Sequence, residues 1–302
     1  MVNKRLPRLV VFGDIRKRPV AEAIEQFSSS VTGKAQIVAR YGIEGPARTW
    51  VGRARRAAVA ESKTQTLKRC DFAVVFGGDG SIISTARSLR GIDLPVIGVN
   101  LGKLGFLAEF SVEELEGSFA DIVAGKTSIE KRMMLRCEVW RAERRRFCST
   151  AVNDVFITAG PPFRAIELKM SVDGEPLAGC VSDGVIISTP TGSTAYNLSA
   201  GGPILAGELE AIVVTPLCPH SLSFRSIVIS ASSTVEVVGL QLNEGTTLSI
   251  DGQISLPLTG QDVVRVAREE SVFLVVNNPA RSQWDTLASK LSWAERPKYK
   301  KE

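Results

Sequence analysis

The sequence predicts an α/β domain with an open parallel sheet, followed by a mostly β domain and a final helical segment. Three observations support this fold class. The first third of the chain alternates short apolar runs with amphipathic stretches, as successive βαβ units do. From about residue 133 the pattern changes to short strands separated by turn residues, and after residue 276 helical spacing returns. The 302 residues exceed the usual size of one core, so we divide them into residues 1–133, 134–276 and 277–302.

The first domain is predicted from its alternating elements. Strands are expected at residues 9–12, 36–39, 72–76 and 96–99, and helices at residues 21–27, 54–68, 82–89 and 112–123. Ligands of open parallel sheets bind beyond the carboxyl ends of the strands. The loops after residues 76 and 99 are therefore the candidate ligand loops.

The second part is predicted from short strands at the spacing of a sandwich or layered β domain. The strands are expected at residues 136–141, 155–158, 166–172, 184–188, 211–215, 227–229, 234–238, 247–250, 263–268 and 272–276. Hairpin turns are predicted at Asp173-Gly174 and Asp251-Gly252, and a solvated hairpin tip at Arg141–Arg146. The final segment, Trp284–Trp293, has helical spacing and predicts a helix that buries an apolar stripe. The stripe consists of Trp284, Leu287, Leu291 and Trp293.

Composition narrows the function classes only modestly. A net charge of +5 and a pI near 9.0 favour anionic ligands, and nucleotides and nucleic acids satisfy that equally. The five scattered cysteines include no Cys-x-x-Cys pair, which favours reduced thiols in the cytoplasm. We find no signal-peptide core and no membrane-spanning run, so we expect no membrane partner. The single histidine, His220, excludes a zincin site.

A glycine-rich loop with one carboxylate follows the strand at residues 72–76. In Gly77-Gly78-Asp79-Gly80 the glycines allow close approach of a polyphosphate, and a helix starting near Ser81 would offer free N–H groups. A tight turn with a capping Asp explains the same four residues equally well. A second glycine-spaced loop, Leu101–Leu107, follows the strand at residues 96–99. Both loops are predicted to face one crevice.

Two common nucleotide motifs fail on inspection. Gly125-Lys126-Thr127 resembles the end of a P-loop, but Ala120 stands where the first glycine is required and the preceding stretch is helical. The dinucleotide pattern G-x-G-x-x-G is incomplete, because Gly78 and Gly80 are followed by Ile83. A hydride-transfer enzyme is therefore disfavoured.

The segment from Asp183 to Pro203 concentrates hydroxyl side chains, glycines, one acid and one tyrosine around an apolar strand. Hydroxyls and backbone amides can bind ribose, amide and phosphate groups, and Tyr196 offers a ring face together with a donor. A structural turn needs fewer donors than this. The segment therefore indicates a nucleotide-binding site.

These residues together carry a resemblance to the NAD kinases, over about residues 72–253. The match includes Gly77-Gly78-Asp79-Gly80, Asn100-x-Gly102-x-Leu104-Gly105-Phe106-Leu107, Asn153-Asp154, the segment from Asp183 to Pro203, and Thr215 to Ser223. The 183–203 segment is highly specific, whereas Gly-Gly-Asp-Gly also occurs in lipid kinases and phosphofructokinases. The resemblance implies phosphorylation of the adenosine ribose 2′-hydroxyl of NAD by ATP with a divalent metal, expected to be Mg, giving NADP. It also implies that the segment 277–302 packs back on the first domain.

The resemblance further implies roles for individual residues. Asp79 corresponds to the catalytic carboxylate and Gly80 to its loop neighbour, and we expect Asp79 to accept the hydroxyl proton late in phosphoryl transfer. Asn153 and Asp154 would hold the ribose and adenine side of NAD, and Asp183 its carboxamide. The adenosine and phosphate contacts would come from Thr194, Ala195, Tyr196, Asn197, Leu198 and Ser199, with Arg164 and Gln253 as further ligands. No residue is assigned to a protein-held metal.

Other readings stay open beside this one. A lipid or sugar kinase would share the Gly-Gly-Asp-Gly domain, and a non-catalytic module for nucleotides or nucleic acid would use the basic surface. The 183–203 segment argues against the first and Asp79 against the second, so no nucleic-acid partner is expected. Val181 departs from a position that is commonly basic in the family. We expect a cytoplasmic homo-oligomer, either a dimer or a tetramer.

Overall fold

The computed structural model describes residues 5–43, 63–102 and 105–293, and within these ranges the strands form three six-stranded sheets. The predicted helix at residues 54–68 lies mostly outside the described residues, and residues 63–67 are helical. The helices are α1 (Arg18–Ser30), α2 (Asp79–Ser88), α3 (Val112–Val123), α4 (Tyr196–Ser199) and α5 (Gln283–Lys290), with a 3₁₀ turn at Thr191–Thr194.

The strands follow the predicted order, with additional partners at the edges. They are β1 (Arg8–Gly13), β2 (Gln36–Tyr41), β3 (Phe72–Phe76), β4 (Val96–Val99), β5 (Ile129–Arg132), β6 (Leu135–Arg141), β7 (Arg144–Ala151), β8 (Asp154–Thr158), β9 (Ile166–Val172), β10 (Glu175–Ser182), β11 (Gly184–Ser188), β12 (Ala211–Leu217), β13 (Ile227–Ser230), β14 (Val235–Gln241), β15 (Thr247–Ile250), β16 (Ile254–Pro257), β17 (Val263–Arg268) and β18 (Phe273–Val276). The sequence does not predict β5, β7, β10 and β16, which are all edge strands of their sheets. These strands bury few side chains, so their apolar pattern is weak.

The first sheet has the order β2-β1-β3-β4-β18-β5, and its neighbours are parallel except for β5 against β18. Helices cover both faces. Phe27 of α1 and Leu115 of α3 are buried in the core on one face, and Ile82 of α2 is buried in the core on the other. The predicted α/β class is confirmed, and the carboxyl ends of β3 and β4 lie side by side at Phe76 and Val99.

Strand β18 lies in the first sheet, although the prediction assigns it to the β-rich segment 134–276. Its residue Val275 pairs with Val96 of β4, and the whole strand runs antiparallel to β5. A buried apolar run such as Phe273–Val276 predicts a strand but says nothing about which sheet receives it. The chain therefore returns to the first domain before the last helix begins.

The second domain is a sandwich of two antiparallel sheets, with the orders β10-β9-β14-β17-β6-β7 and β13-β12-β11-β8-β15-β16. Buried side chains of both sheets, such as Leu168 and Ile187, form one core between them. The three predicted hairpin turns are present. Each has positive φ at two adjacent residues, for example 53° at Asp173 and 85° at Gly174, as a type I′ turn requires. The turns after β6 and β9 have two residues between the paired strands, and the turn after β15 has three.

Helix α5 packs against the first domain, as the resemblance implies, but its buried face is narrower than predicted. Ser282 and Asp285 form a capping box at its start. Leu287 is buried, whereas Trp284 is 58% exposed and Trp293 is 63% exposed. Leu291 is half-buried, so Leu287 is the one fully buried member of the predicted stripe. In the described residues no helix is both long and apolar enough to cross a membrane.

Candidate active site

The first glycine loop positions Asp79 in the opening turn of helix α2. The helix begins at Asp79 with Gly78 as its extended N-cap, three residues earlier than the predicted start at Ile82. Gly77 has a φ of 151°, and a Cβ there would lie 2.5 Å from Ser81 Oγ, so this position requires glycine. Asp79 therefore lies at the positive end of the helix dipole, which stabilises its negative charge.

The carboxylate of Asp79 is held by the backbone of the second glycine loop. Phe106 N–H donates to Oδ2 at 2.8 Å, while Leu107 N–H and Ala108 N–H donate to Oδ1 at 3.0 and 3.1 Å. Gly105 permits this contact, because a Cβ there would lie 1.9 Å from Oδ1. The two loops predicted to face one crevice thus meet at Asp79.

The β15–β16 hairpin reaches across to the first domain beside Asp79. Gln253 Nε2 donates to the Gly80 carbonyl at 2.8 Å, and Gln253 Oε1 accepts from the Arg87 guanidinium. Arg87 also forms an ion pair with Asp251, with a distance of 2.7 Å between NH1 and Oδ2. Residues from the two domains are therefore in direct contact next to the first glycine loop.

Asp251 also holds the turn that carries Asn153 and Asp154. Its Oδ1 accepts from the N–H groups of Val152, Asn153 and Asp154 at 3.1, 2.8 and 3.2 Å. Burial raises the pKa of Asp154 to about 7, and the nearby Asp251 acts in the same direction, while the Tyr196 N–H opposes it. Burial also raises the pKa of Asp251, against the opposing effects of Arg87 and the same N–H groups. Asp154 is therefore an acid that changes charge near neutral pH.

A cavity of about 490 Å³ opens between this turn and the 183–203 segment. Its volume is in the usual range for small-molecule sites. Tyr196 is 38% exposed there, and its ring packs edge-on against Phe156 with centroids 4.9 Å apart. Part of the Tyr196 side chain is therefore accessible from the cavity. The lining residues are Asn153, Asp154, Phe156, Thr158, Ala195, Tyr196, Asp251 and Gly252.

A smaller crevice of about 50 Å³ lies between the domains on the other side of the 3₁₀ turn. Thr191 and Thr194 line it together with Phe106 and Leu107, whose N–H groups bind Asp79. The Thr191 hydroxyl is buried with no partner among the described residues. Thr194 and Tyr196, although two residues apart, thus line different spaces.

The other predicted ligands lie at varied distances from the large cavity. Asn197 is fully buried and bonded within the protein: its amide nitrogen donates to the carbonyls of Ser193 and Pro203, and its oxygen accepts from the Thr215 hydroxyl at 2.7 Å. These contacts make Asn197 a support of the segment, and the residue remains a predicted ligand without a described place in the cavity. Its neighbour Leu198 is half-buried and Ser199 is exposed.

Asp183 and Arg164 lie at the end of the β8–β11 strand pair. Asp183 is exposed, and its carbonyl accepts from Ala159 N–H, directly after the cavity residue Thr158. Arg164 is exposed on the loop that follows β8, where Asn243 bonds its carbonyl. Val181, which departs from the family pattern, is 43% exposed.

Arg87, Asp251 and the cavity residues Phe156 and Thr158 belong to the site although no sequence pattern singles them out. Asp251 is assigned from the sequence only to a hairpin turn, and Arg87 is an ordinary cation on a predicted helix. A cation and an acid 164 positions apart give no pairing signal in a single sequence. Only the tertiary contact shows that they belong to the site.

The fold and site define a two-domain, nucleotide-binding transferase. The model for the ATP-NAD kinase N-terminal domain matches residues 21–127, and the model for the ATP-NAD kinase C-terminal domain matches residues 152–277. The NAD kinase of Syntrophotalea carbinolica is 42% identical over 228 residues, covering 75% of this chain and 79% of that protein. The NAD kinase of Rhodopirellula baltica is 35% identical over 292 residues, covering 97% and 88%. The chain belongs to the NAD kinase family.

Solved structures share the fold. Yeast NADH kinase complexed with NADH has a TM-score of 0.80 at 24% identity, covering 99% of this chain and 91% of that one. An NAD kinase from Archaeoglobus fulgidus in complex with ATP has a TM-score of 0.69 at 24% identity, covering 94% and 98%. The superposition extends through both domains in each case.

Proposed function

We propose that this chain transfers the γ-phosphoryl group of ATP to the 2′-hydroxyl of the adenosine ribose of NAD, giving NADP. The observation that carries the proposal is the contact between the β15–β16 hairpin, which borders the large cavity, and the first glycine loop. Gly252 lines the large cavity, and the next residue, Gln253, bonds the carbonyl of Gly80 in the first glycine loop. An acceptor in the cavity therefore lies next to the loop of Asp79.

The acceptor side supplies the groups that a dinucleotide needs. Tyr196 offers a ring face for stacking, and Asn153 and Asp154 offer an amide and a carboxylate for ribose hydroxyls. We place the nicotinamide carboxamide toward Asp183 at the far end of the β8–β11 pair. The remaining proposed contacts with NAD come from Arg164, Thr194, Ala195, Leu198 and Ser199. Asn197 supports the 183–203 segment through its buried hydrogen bonds.

The donor side is the pair of glycine loops. The start of α2 presents backbone N–H groups and a helix dipole, which favour phosphate oxygens. Of the two Asp79 oxygens, Oδ2 accepts from fewer of the described N–H groups than Oδ1 does. We assign Oδ2 as the atom that takes the hydroxyl proton. Since a carboxylate is too weak a base to ionise an alcohol in advance, the transfer occurs as the new O–P bond forms.

We assign the divalent metal to the nucleotide. Among residues 5–43, 63–102 and 105–293, no group of three or more His, Cys, Asp or Glu side chains is placed to hold an ion. Magnesium characteristically binds substrate phosphates with few protein ligands. It would enter as the ATP complex and neutralise charge on the transferred phosphoryl group.

The test is a coupled assay on the purified chain with NAD, ATP and MgCl₂, in which an NADP-specific dehydrogenase detects the product. We expect NADP to accumulate in step with ADP. Parallel reactions with a diacylglycerol or a hexose phosphate as acceptor address the lipid and sugar kinase alternatives. ADP formation that depends on either of those acceptors, with none on NAD, would contradict the proposal.

We also propose that the chain assembles as a homo-oligomer. Phe163 is 72% exposed and Leu222 is 88% exposed, and we propose that these two apolar side chains lie in contacts between subunits. Light scattering coupled to size exclusion measures the mass directly. A mass of one chain at micromolar concentration would refute this assignment.

A further inference from the structure

We propose that Arg87 is a positioning residue for phosphoryl transfer: through Asp251 and Gln253 it sets the placement of the NAD-binding turn 152–154 against the loop of Asp79. This inference rests on the proposed function. Arg87 lines neither the large cavity nor the smaller crevice, so we expect its effect to act through these two partners.

The guanidinium joins two separate connections. NH1 binds Asp251, whose other oxygen holds the backbone N–H groups of residues 152–154. NH2 binds Gln253 Oε1, and Gln253 Nε2 donates to the carbonyl of Gly80. The forked geometry of arginine allows both contacts at once, which a lysine cannot reproduce.

Helix α2 carries both ends of this connection. Asp79 begins the helix and Arg87 lies in its last turn, so about 12 Å of helix separates the two residues along its axis. A helix is stiff over this length. An anchor at Arg87 therefore fixes the direction in which the helix presents Asp79 to the other domain.

The ion pair between Arg87 and Asp251 is buried, so removal of Arg87 should have a large local effect. The side chains of Arg87 and Asp251 are 14% and 0% exposed. A buried carboxylate without its cation is strongly unfavourable, and Asp154 adds a second acid beside it. Loss of Arg87 would leave Asp251 to take up a proton or to move, and either change alters the acceptors that hold the 152–154 turn. The NAD side of the site would then shift relative to Asp79.

The chain offers a matched control in Arg90, which follows the same helix. Arg90 Nε pairs with Glu269 at 2.8 Å, and the Glu269 side chain is 4% exposed. Glu269 bonds the Thr150 hydroxyl and does not contact the 152–154 turn in the described structure. Arg90→Gln therefore removes a similar ion pair to a buried acid without touching the proposed connection.

The experiment compares the full-length wild type with Arg87→Gln, Arg87→Lys and Arg90→Gln. Steady-state kinetics are measured with NAD and ATP varied in turn, NAD binding by calorimetry, and unfolding by temperature. For Arg87→Gln we expect kcat/KM for NAD to fall about 10- to 100-fold, since a displacement near 1 Å has effects of this size. The KM for ATP should change less than about threefold, and NAD affinity should weaken. Arg87→Lys, which keeps the charge but loses the fork, should fall between the wild type and Arg87→Gln.

Arg90→Gln should lower the melting temperature by about as much as Arg87→Gln does. Its kcat/KM for NAD should stay within about twofold of the wild type. Equal losses of activity in Arg87→Gln and Arg90→Gln would overturn the positioning role, because the pair would then be only structural. If Arg87→Gln does not fold, wild-type kinetics in Arg87→Lys would overturn it. A wild type that forms no NADP contradicts the proposed function instead, and the calorimetric NAD affinities then decide the role of Arg87.

Discussion

Two carboxylates in this molecule accept hydrogen bonds from consecutive backbone N–H groups, but we assign them different roles. Asp79 and Asp251 each bind consecutive backbone N–H groups of another loop, at residues 106–108 and 152–154. Asp79 remains half-buried at the crevice, whereas the Asp251 side chain is sealed and paired with Arg87. The comparison indicates that backbone N–H contacts alone do not distinguish the acid that we propose to take the proton from the acid that holds the turn at residues 152–154. Exposure and a dedicated cation separate them.

The strongest test of this comparison is Asp79→Asn. The amide keeps the shape of the carboxylate but cannot accept the proton, so kcat should fall by at least about 10² while NAD affinity stays within a few-fold. Steady-state kinetics and calorimetry measure the two effects. Asp93→Asn, at an exposed acid that follows α2, is the control and should be neutral. Near-normal turnover in Asp79→Asn would leave the first loop as a phosphate cradle only.

Gly105→Ala tests the contact between the two glycine loops. Its Cβ would lie 1.9 Å from Asp79 Oδ1, so the carboxylate must rotate away from its N–H donors. We expect a loss in kcat of about 10-fold or more. Gly102→Ala is the matched control, because a Cβ there meets nothing within 4 Å among the described residues. Similar kinetics in the two variants would mean that the loop contact does not matter for turnover.

The charge of Asp154 should give the site a pH dependence. With its pKa raised to about 7, the ionised form that accepts ribose hydroxyls appears only as the pH rises through that value, so kcat/KM for NAD should increase there. Stability changes in the opposite direction. The folded protein retains a proton that the unfolded chain loses near pH 3.8, so this contribution is greatest at low pH and is lost as the pH rises to about 7.

Asp154→Asn removes the ionisable group and should flatten both pH profiles. The measurements are kcat/KM for NAD and the melting temperature between pH 5 and about 9, the range spanning the shifted titration. Profiles identical to those of the wild type would assign the titration to another group.

The smallest expected effects concern the last helix, which packs on the loop that binds Asp79. Lys290 Nζ lies 4.6 Å from the ring centroid of Phe106, and Leu287 is 5% exposed. Leu287→Ala should destabilise the protein by about 2–5 kcal/mol. Trp284→Ala, at a side chain that is 58% exposed, should cost less than about 1 kcal/mol. Thermal or denaturant unfolding measures both, and the reverse order would show that Trp284 is covered in the assembled protein.

Much of the site follows from the sequence because its parts are local. The glycines of the first loop, the hairpin turns at residues 173–174 and 251–252, and the hydroxyl-rich 183–203 segment depend on residues close together in the chain. Their physical requirements, such as positive φ or many donors, are visible in composition and spacing. The same local signals predict the α/β and β-rich parts, and the structure confirms that fold class.

The contacts between distant segments needed the tertiary structure. Strand β18 joins the first sheet, Trp284 faces solvent, and Asn197 bonds inside the protein instead of lining the large cavity. Each sequence pattern there is compatible with more than one partner. The sequence pattern indicates whether a residue prefers to be buried. It does not indicate which other residues the buried side chain will contact.

The sequence by itself determined the fold class and the two glycine loops, and it predicted a nucleotide-binding role for the 183–203 segment, because these follow from backbone freedom and from the donors that nearby residues offer. The tertiary structure alone decided that Asp79 binds the second loop and that Arg87 reaches Asp251. The physical reason is that a hydrogen bond or ion pair depends on distance in space. Residues 79 and 106 come within 3 Å only when the first domain has folded, and residues 87 and 251 only when the two domains are in contact.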